Sequence, residues 1–185
     1  MPKRLTTPLD DRSVRDLRAG EKVLISGPMF TARDAAHKRL CELLERRETL
    51  PVDFEGQIIY YTGPTPPRPG AVIGSAGPTT SVRMDAYSPA LIRQTGLKGM
   101  IGKGNRSEAV VDAMKRKSCV YFAAVGGAGA LIAQCIQAAE VVCYDDLGPE
   151  AVRLLQVKDF PAVVAIDCLG NNLYETGPEA YRDLP

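Results

Sequence analysis

The sequence predicts a mixed α/β domain, and three features point there. Short apolar runs rich in β-branched residues alternate with stretches of helical spacing. Several of those runs are apolar on both faces, as strands covered on both sides are. Finally, 185 residues at 45% hydrophobic content suit one domain with an enclosed core, and no internal repeat or low-complexity segment divides them. Residues 1–185 are therefore expected to form a single unit.

The strand candidates in order are Val23 to Ser26, Gln57 to Tyr61, Ala71 to Gly74, Gly99 to Ile101, Cys119 to Val125, Val141 to Tyr144 and Ala162 to Asp167. Between them, Thr31 to Arg47 is the clearest helix: Ala36, Leu40, Leu43 and Leu44 follow helical spacing, and Thr31 with Asp34 resembles a capping box. A second helix starts at Ser88 and Pro89 and stops at Gly96, the residue type favoured just past a helix end. Ser107 to Lys117, Gly127 to Ala138 and Pro149 to Leu155 complete the helices, with Pro161 blocking continuation into the last strand. The Pro-rich stretch Pro64 to Pro69 reads as an ordered loop between strands.

Charge narrows the function. Twenty-three basic and 22 acidic residues nearly cancel, so no global field draws in nucleic acid or an anionic membrane, and an anion site has to be local. The first eleven residues lack the apolar core of a signal peptide and no later run is long and apolar enough to span a bilayer, so a cytoplasmic location is expected. The cysteines at 41, 119, 135, 143 and 168 form no C-x-x-C pair and lie among apolar residues. They read as structural thiols, and with a single histidine, His37, no metal or cluster site is expected within this chain.

Three segments place small residues and a cation at the carboxyl end of a predicted strand, where open α/β sheets bind ligands. Ser26 to His37 opens the long helix, so its free N–H groups and Arg33 face either an anion or solvent. In Gly74 to Asp85, Thr79, Thr80 and Ser81 offer hydroxyls and Arg83 can grip a carboxylate with two parallel bonds. The same groups would also serve as a capped turn. Gly99 to Ser107 sets Lys103 between glycines but is no phosphate loop, because Leu97 stands where the first glycine belongs and Gly104 follows the lysine. The run Gly126, Gly127, Gly129 fails the dinucleotide fingerprint at Ile132 and reads as close packing. His37, on a helix, reads as a hydrogen-bonded structural residue.

Taken together, TARDAAHKRL at 31–40, YYTGP at 60–64, GPTTSVRMD at 77–85, IGKG at 101–104 and VKDFPAVVAIDCLGN at 157–171 resemble the β subunit of class I fumarate hydratase and L(+)-tartrate dehydratase, the fumarase C-terminal domain family. The resemblance implies a swivelling β/β/α domain, a mixed sheet with flanking helices. It implies one half of a hydro-lyase that reversibly hydrates fumarate to (S)-malate, a tricarboxylic acid cycle reaction, or dehydrates L-tartrate. It places a [4Fe–4S] cluster in a partner α subunit, with one iron open to substrate. By the same resemblance Arg33, Thr79, Arg83 and Lys103 bind the dicarboxylate, with Thr79 and Lys103 taking part in the chemistry. These four are expected to gather around one open concavity. A heterotetramer with the α subunit is implied, and in isolation an inactive chain that self-associates as a homodimer. The alternatives are a non-catalytic anion-binding or regulatory module of the same fold, and a phosphate-carrying swivelling domain, which would need a modifiable residue in a mobile loop.

Overall fold

A computed structural model describes residues 1–179 and 181–182. Seven strands and six helices alternate: β1 (Lys3–Thr6), α1 (Asp11–Arg15), β2 (Lys22–Thr31), α2 (Asp34–Glu45), β3 (Ile58–Tyr60), α3 (Ser88–Thr95), β4 (Gly99–Gly102), α4 (Glu108–Lys117), β5 (Val120–Ala123), α5 (Gly129–Gln134), β6 (Ile136–Cys143), β7 (Val152–Ile166) and α6 (Leu173–Glu179). Short 3-10 turns cover Ser81–Met84 and Asp145–Glu150. The mixed α/β expectation holds.

The sheet runs β1-β2-β3-β4-β5-β7-β6, and β2 also pairs with β7, which closes β2, β3, β4, β5 and β7 into a ring. β1 to β5 are mutually parallel, while β7 is antiparallel to β2, β5 and β6. Two long strands make closure possible. β2 meets β1 with its first half and β3 with its second, and it shifts register between Ile25 and Gly27. Gly27 is required there: its φ is +111°, and a Cβ would sit 2.8 Å from the Thr7 carbonyl oxygen.

Alternation along the parallel strands fills two cores. Ile58, Tyr60, Ile101, Val120 and Phe122 point into one cluster with Ile25, Leu155 and Phe160. Ile59, Tyr61, Met100 and Tyr121 point the other way, against Ala36 and Leu40 of α2, Leu91 and Ile92 of α3, and Val110 and Met114 of α4. This double burial is why those runs read as apolar on both faces.

Three expectations need correction. Ala71 to Gly74 is irregular, because the glycines and prolines around it leave no room for a ladder: a Cβ at Gly74 would strike the Thr65 carbonyl. The helix expected over Gly127 to Ala138 stops at Gln134, and β6 starts at Ile136 to pair with β7. Pro149 to Leu155 is not helical: a 3-10 turn ends at Glu150, and Val152 to Leu155 belong to β7. In both places strand pairing, β6 with the next strand β7 and β7 with the distant β2, overrides local helical spacing. Pro161 lies within β7, in the gap where β6 has ended at Val157 and β5 joins only at Val163, so its missing donor leaves no ladder broken on that edge. β1, α1 and α6, all short, were not anticipated. No helix of the described residues is long and apolar enough to cross a membrane.

Candidate functional site

The carboxyl ends of β2, β3 and β4 form one rim, and the predicted site residues can be followed onto it. β2 ends at Thr31, whose buried hydroxyl donates to the Ala151 carbonyl at 3.4 Å and accepts the Arg153 N–H at 3.1 Å. It therefore anchors the sheet and caps no helix. Arg33 takes the N-cap position of α2 in extended conformation, with no side-chain cap.

The anion at the N-terminus of α2 comes from the chain itself. Glu150 Oε2 accepts the Ala35 N–H at 2.9 Å, while its Oε1 lies 3.4 Å from Arg33 Nη2. A carboxylate is favoured there by the helix dipole. Arg33 lies along Gly63, where a Cβ would meet Nη1 at 2.6 Å. Arg83 Nε donates to Asp34 Oδ1 at 2.9 Å, and the other oxygen, Oδ2, stands 3.9 Å from Arg33 Nε. Asp34 thus lies between two guanidiniums. Arg33 Nε and Asp34 Oδ2 are buried without a hydrogen-bond partner among the described residues.

Backbone bonds bring the threonine segment to the lysine turn. The Thr79 N–H donates to the Tyr61 carbonyl at 2.7 Å, just past β3. Lys103 N–H then donates to the Thr79 carbonyl at 3.2 Å, and Ser81 N–H to the Lys103 carbonyl at 2.9 Å, making a parallel bridge of Thr80 with Lys103. The strands come unusually close here, since a Cβ at Gly102 would collide with Ser81 Oγ. Thr79 is half-buried, and the Lys103 side chain is exposed alongside Gly126. Gly104, at φ +84°, turns the chain; its N–H donates to Tyr174 Oη at 3.0 Å and its carbonyl accepts the Tyr121 hydroxyl at 2.8 Å.

The four residues thus fall on one rim in two linked pairs, Arg33 with Arg83 through Asp34, and Thr79 with Lys103 through the backbone. The enclosing concavity is a different matter. The more pronounced cavities lie elsewhere, including an apolar one of about 370 Å³ lined by Val125, Leu131 and Ile132. The rim is an open face, because Asp34 and Glu150 draw the two arginines toward α2.

Sequence reasoning passed over what lies beneath the rim. Arg106, with no exposed side-chain surface, donates from Nε to Asp85 Oδ1 at 2.7 Å and from Nη2 to Ser88 Oγ at 2.8 Å. Its guanidinium carbon lies 5.3 Å from the Tyr61 ring centroid and 5.0 Å from that of Tyr121. The one local sign is position: Asp85 closes the segment Gly74 to Asp85, and Arg106 is the next-to-last residue of Gly99 to Ser107, each just ahead of a helix.

His37 is buried with Nδ1 2.9 Å from the Arg33 carbonyl, its ring edge-on to Tyr61. A carbonyl only accepts, so Nδ1 carries the proton, and Nε2 is left without a partner. Burial lowers its pKa to about 4, helped by the Arg106 charge. It is a neutral structural residue.

The cysteines of the described residues do not make a ready iron–sulfur site. Cys41, Cys119 and Cys168 are buried, and burial pushes the Cys41 and Cys119 thiols up to about 11 and about 12, away from the thiolate that iron needs. No group of three or more His, Cys, Asp or Glu among the described residues is arranged to hold a metal.

A closed α/β sheet with Arg33, Arg83 and Lys103 at the carboxyl ends of its parallel strands defines the class, a mixed α/β domain whose candidate site lies where such sheets bind ligands. The particular family follows from comparison with known proteins. The family model for the fumarase C-terminus matches residues 4–177, and the chain belongs to that family. The L(+)-tartrate dehydratase subunit beta of Escherichia coli is 34% identical over 187 residues, 99% of this chain and 92% of that protein. The aerobic class I fumarate hydratase of Salmonella typhimurium is 40% identical over 155 residues, and fumarate hydratase 2 of Leishmania major 37% over 156. These cover 83% and 84% of this chain, which spans only 27% and 28% of the two enzymes.

Proposed function

We propose that the chain is the β subunit of a two-subunit hydro-lyase that reversibly hydrates fumarate to (S)-malate or dehydrates L-tartrate, at a site shared with a cluster-bearing α subunit in a cytoplasmic heterotetramer. The observation that carries this reading is the single rim on which Arg33, Thr79, Arg83 and Lys103 meet. Asp34 and Glu150 offset Arg33 and Arg83 in the free chain, and a C4 dicarboxylate, with two negative charges, can take their place on the same cations. The partner's [4Fe–4S] cluster would supply a Lewis-acidic iron. The subunit-beta name of the E. coli relative, which this chain matches almost end to end, supports a separate α subunit here.

In this reading Arg33 and Arg83 exchange Asp34 and Glu150 for substrate carboxylate, gripping it through planar forks. Lys103 adds a compact charge that stabilises the aci-carboxylate formed as a C3 proton leaves. Thr79 receives that proton as its alkoxide, having first released its own proton to solvent. A free hydroxyl is far too weakly acidic to be an alkoxide near neutral pH, so the nearby cations have to lower its pKa strongly. A swivelling β/β/α arrangement would let the open rim close over substrate bound to the partner and exclude water.

Co-expression with a cluster-bearing α chain under anaerobic conditions, followed by a panel of fumarate, malate and tartrate stereoisomers, tests the proposal. Reversible turnover of one of them is expected. An assembled, cluster-loaded complex inert to the whole panel would overturn it.

A further inference from the structure

The rim residues Thr79, Arg83 and Lys103 lie on segments with little regular structure of their own, and all of these segments touch Arg106. Asp85, its ion-pair partner, follows the turn that carries Arg83, and Asp85 Oδ2 also accepts the Ser107 N–H at 2.6 Å. Tyr61, over whose ring the guanidinium carbon lies, gives its carbonyl to Thr79. Tyr121, also against the guanidinium, donates to the Gly104 carbonyl and accepts from Ser81 Oγ at 2.8 Å. Ser88, bonded to Nη2, starts α3 and also bonds the Tyr61 hydroxyl at 3.1 Å.

A fully buried cation is a poor way to gain stability, since an apolar pair of similar volume does as well or better. What Arg106 offers instead is direction, a planar fork and two flat faces that fix four partners at set angles. We infer that Arg106 is a positioning residue for the rim, setting the Thr79 to Arg83 segment against the Lys103 turn. The inference rests on the reading of that rim as the substrate site.

Two amides report the joint directly, Ser81 N–H on the Lys103 carbonyl and Lys103 N–H on the Thr79 carbonyl. Their hydrogen exchange would be followed by NMR on the full chain for the native protein, for Arg106→Lys, and for Arg106→Met combined with Asp85→Asn. The double variant removes both buried charges together and so guards against simple unfolding. Exchange at Ser81 and Lys103 should accelerate at least tenfold in both variants, while Val23 and Ile25 of β2 stay within twofold. In the assembled complex, Arg106→Lys should lower kcat/KM at least tenfold, whereas Val14→Ala, a change on α1 in the other core cluster, keeps its turnover per folded enzyme. Unchanged exchange at Ser81 and Lys103, acceleration shared equally by Val23 and Ile25, or equal activity loss in Val14→Ala would each overturn the inference. If the native complex turns over no dicarboxylate, the proposed function fails, and the exchange data alone then decide whether Arg106 sets the rim.

Discussion

Acidification should unfold this protein partly through His37, and a substitution can isolate that share. The ring is buried and neutral, its Nδ1–H committed to the Arg33 carbonyl and its Nε2 facing no partner. Burial holds the folded pKa at about 4, against 6.5 when unfolded. The unfolded chain therefore binds this proton more tightly, and the contribution is fully present above about pH 6.5 and lost as pH falls toward 4. Each pH unit across that window removes about 1.4 kcal/mol, or roughly 3 kcal/mol in all. His37→Phe keeps an aromatic ring of similar size against Tyr61 and cannot titrate. Urea unfolding at pH 7 and pH 4.5 on both proteins measures the difference, and the carboxylates, common to both, cancel. The native protein should lose roughly 2 to 3 kcal/mol more than the variant on acidification. If the two lose the same amount within about 0.5 kcal/mol, His37 is not the buried neutral group described, and the reasoning fails.

Arg83→Ala should separate function from folding. Its pair with Asp34 is half-exposed, so stability should move by no more than about 1 kcal/mol, while kcat/KM of the assembled enzyme falls well over tenfold through loss of roughly 2 to 5 kcal/mol of charge-assisted binding. Intact turnover would remove Arg83 from the site. Gly102→Ala should cost about 1 to 3 kcal/mol in urea unfolding, since the new methyl collides with Ser81 Oγ; an unmoved midpoint would mean that the rim is more pliable than drawn. The purified chain, reconstituted anaerobically with iron and sulfide, should show no iron–sulfur absorbance, because its buried thiols are poor ligands; a stable brown species would contradict that.

How much could be read beforehand depended on where the determining contact lies. The both-face apolar runs at 58–61, 99–101 and 119–125 revealed buried parallel strands, since side-chain alternation is local. Gly96, at φ +70°, ended α3 as read, for a reason contained in the residue itself. By contrast, 136–138 and 152–155 read as helical, and only β7 pairing with both β6 and β2 makes them extended. Three segments drew notice because small residues and a cation stand at the end of a predicted strand, and the family resemblance then picked out Arg33, Thr79, Arg83 and Lys103 within them. Asp34 read only as part of a capping box, because its partner Arg83 lies 49 residues away, and Glu150 reaches the start of α2 across 115 residues, a separation that leaves no local trace. Arg106 escaped for the opposite reason: a lone arginine in a loop reads as solvated, and only two tyrosines and an aspartate from other segments make it buried.

The β2 and β7 pairing also governs when the molecule can come into being. Thr31, at the edge of the rim, is bonded to Arg153 across 122 residues, and the ring of strands has no closing member until β7 exists. Contacts so far apart in the chain make for slow folding. A nascent chain on the ribosome would hold β2 to β5 as an open, apolar-faced sheet until β7 had emerged. A fragment ending before Val152 should accordingly show little cooperative unfolding in circular dichroism, and a sharp transition there would contradict this order. The rim belongs by sequence to the first two thirds of the protein, yet it would be among the last features to take shape.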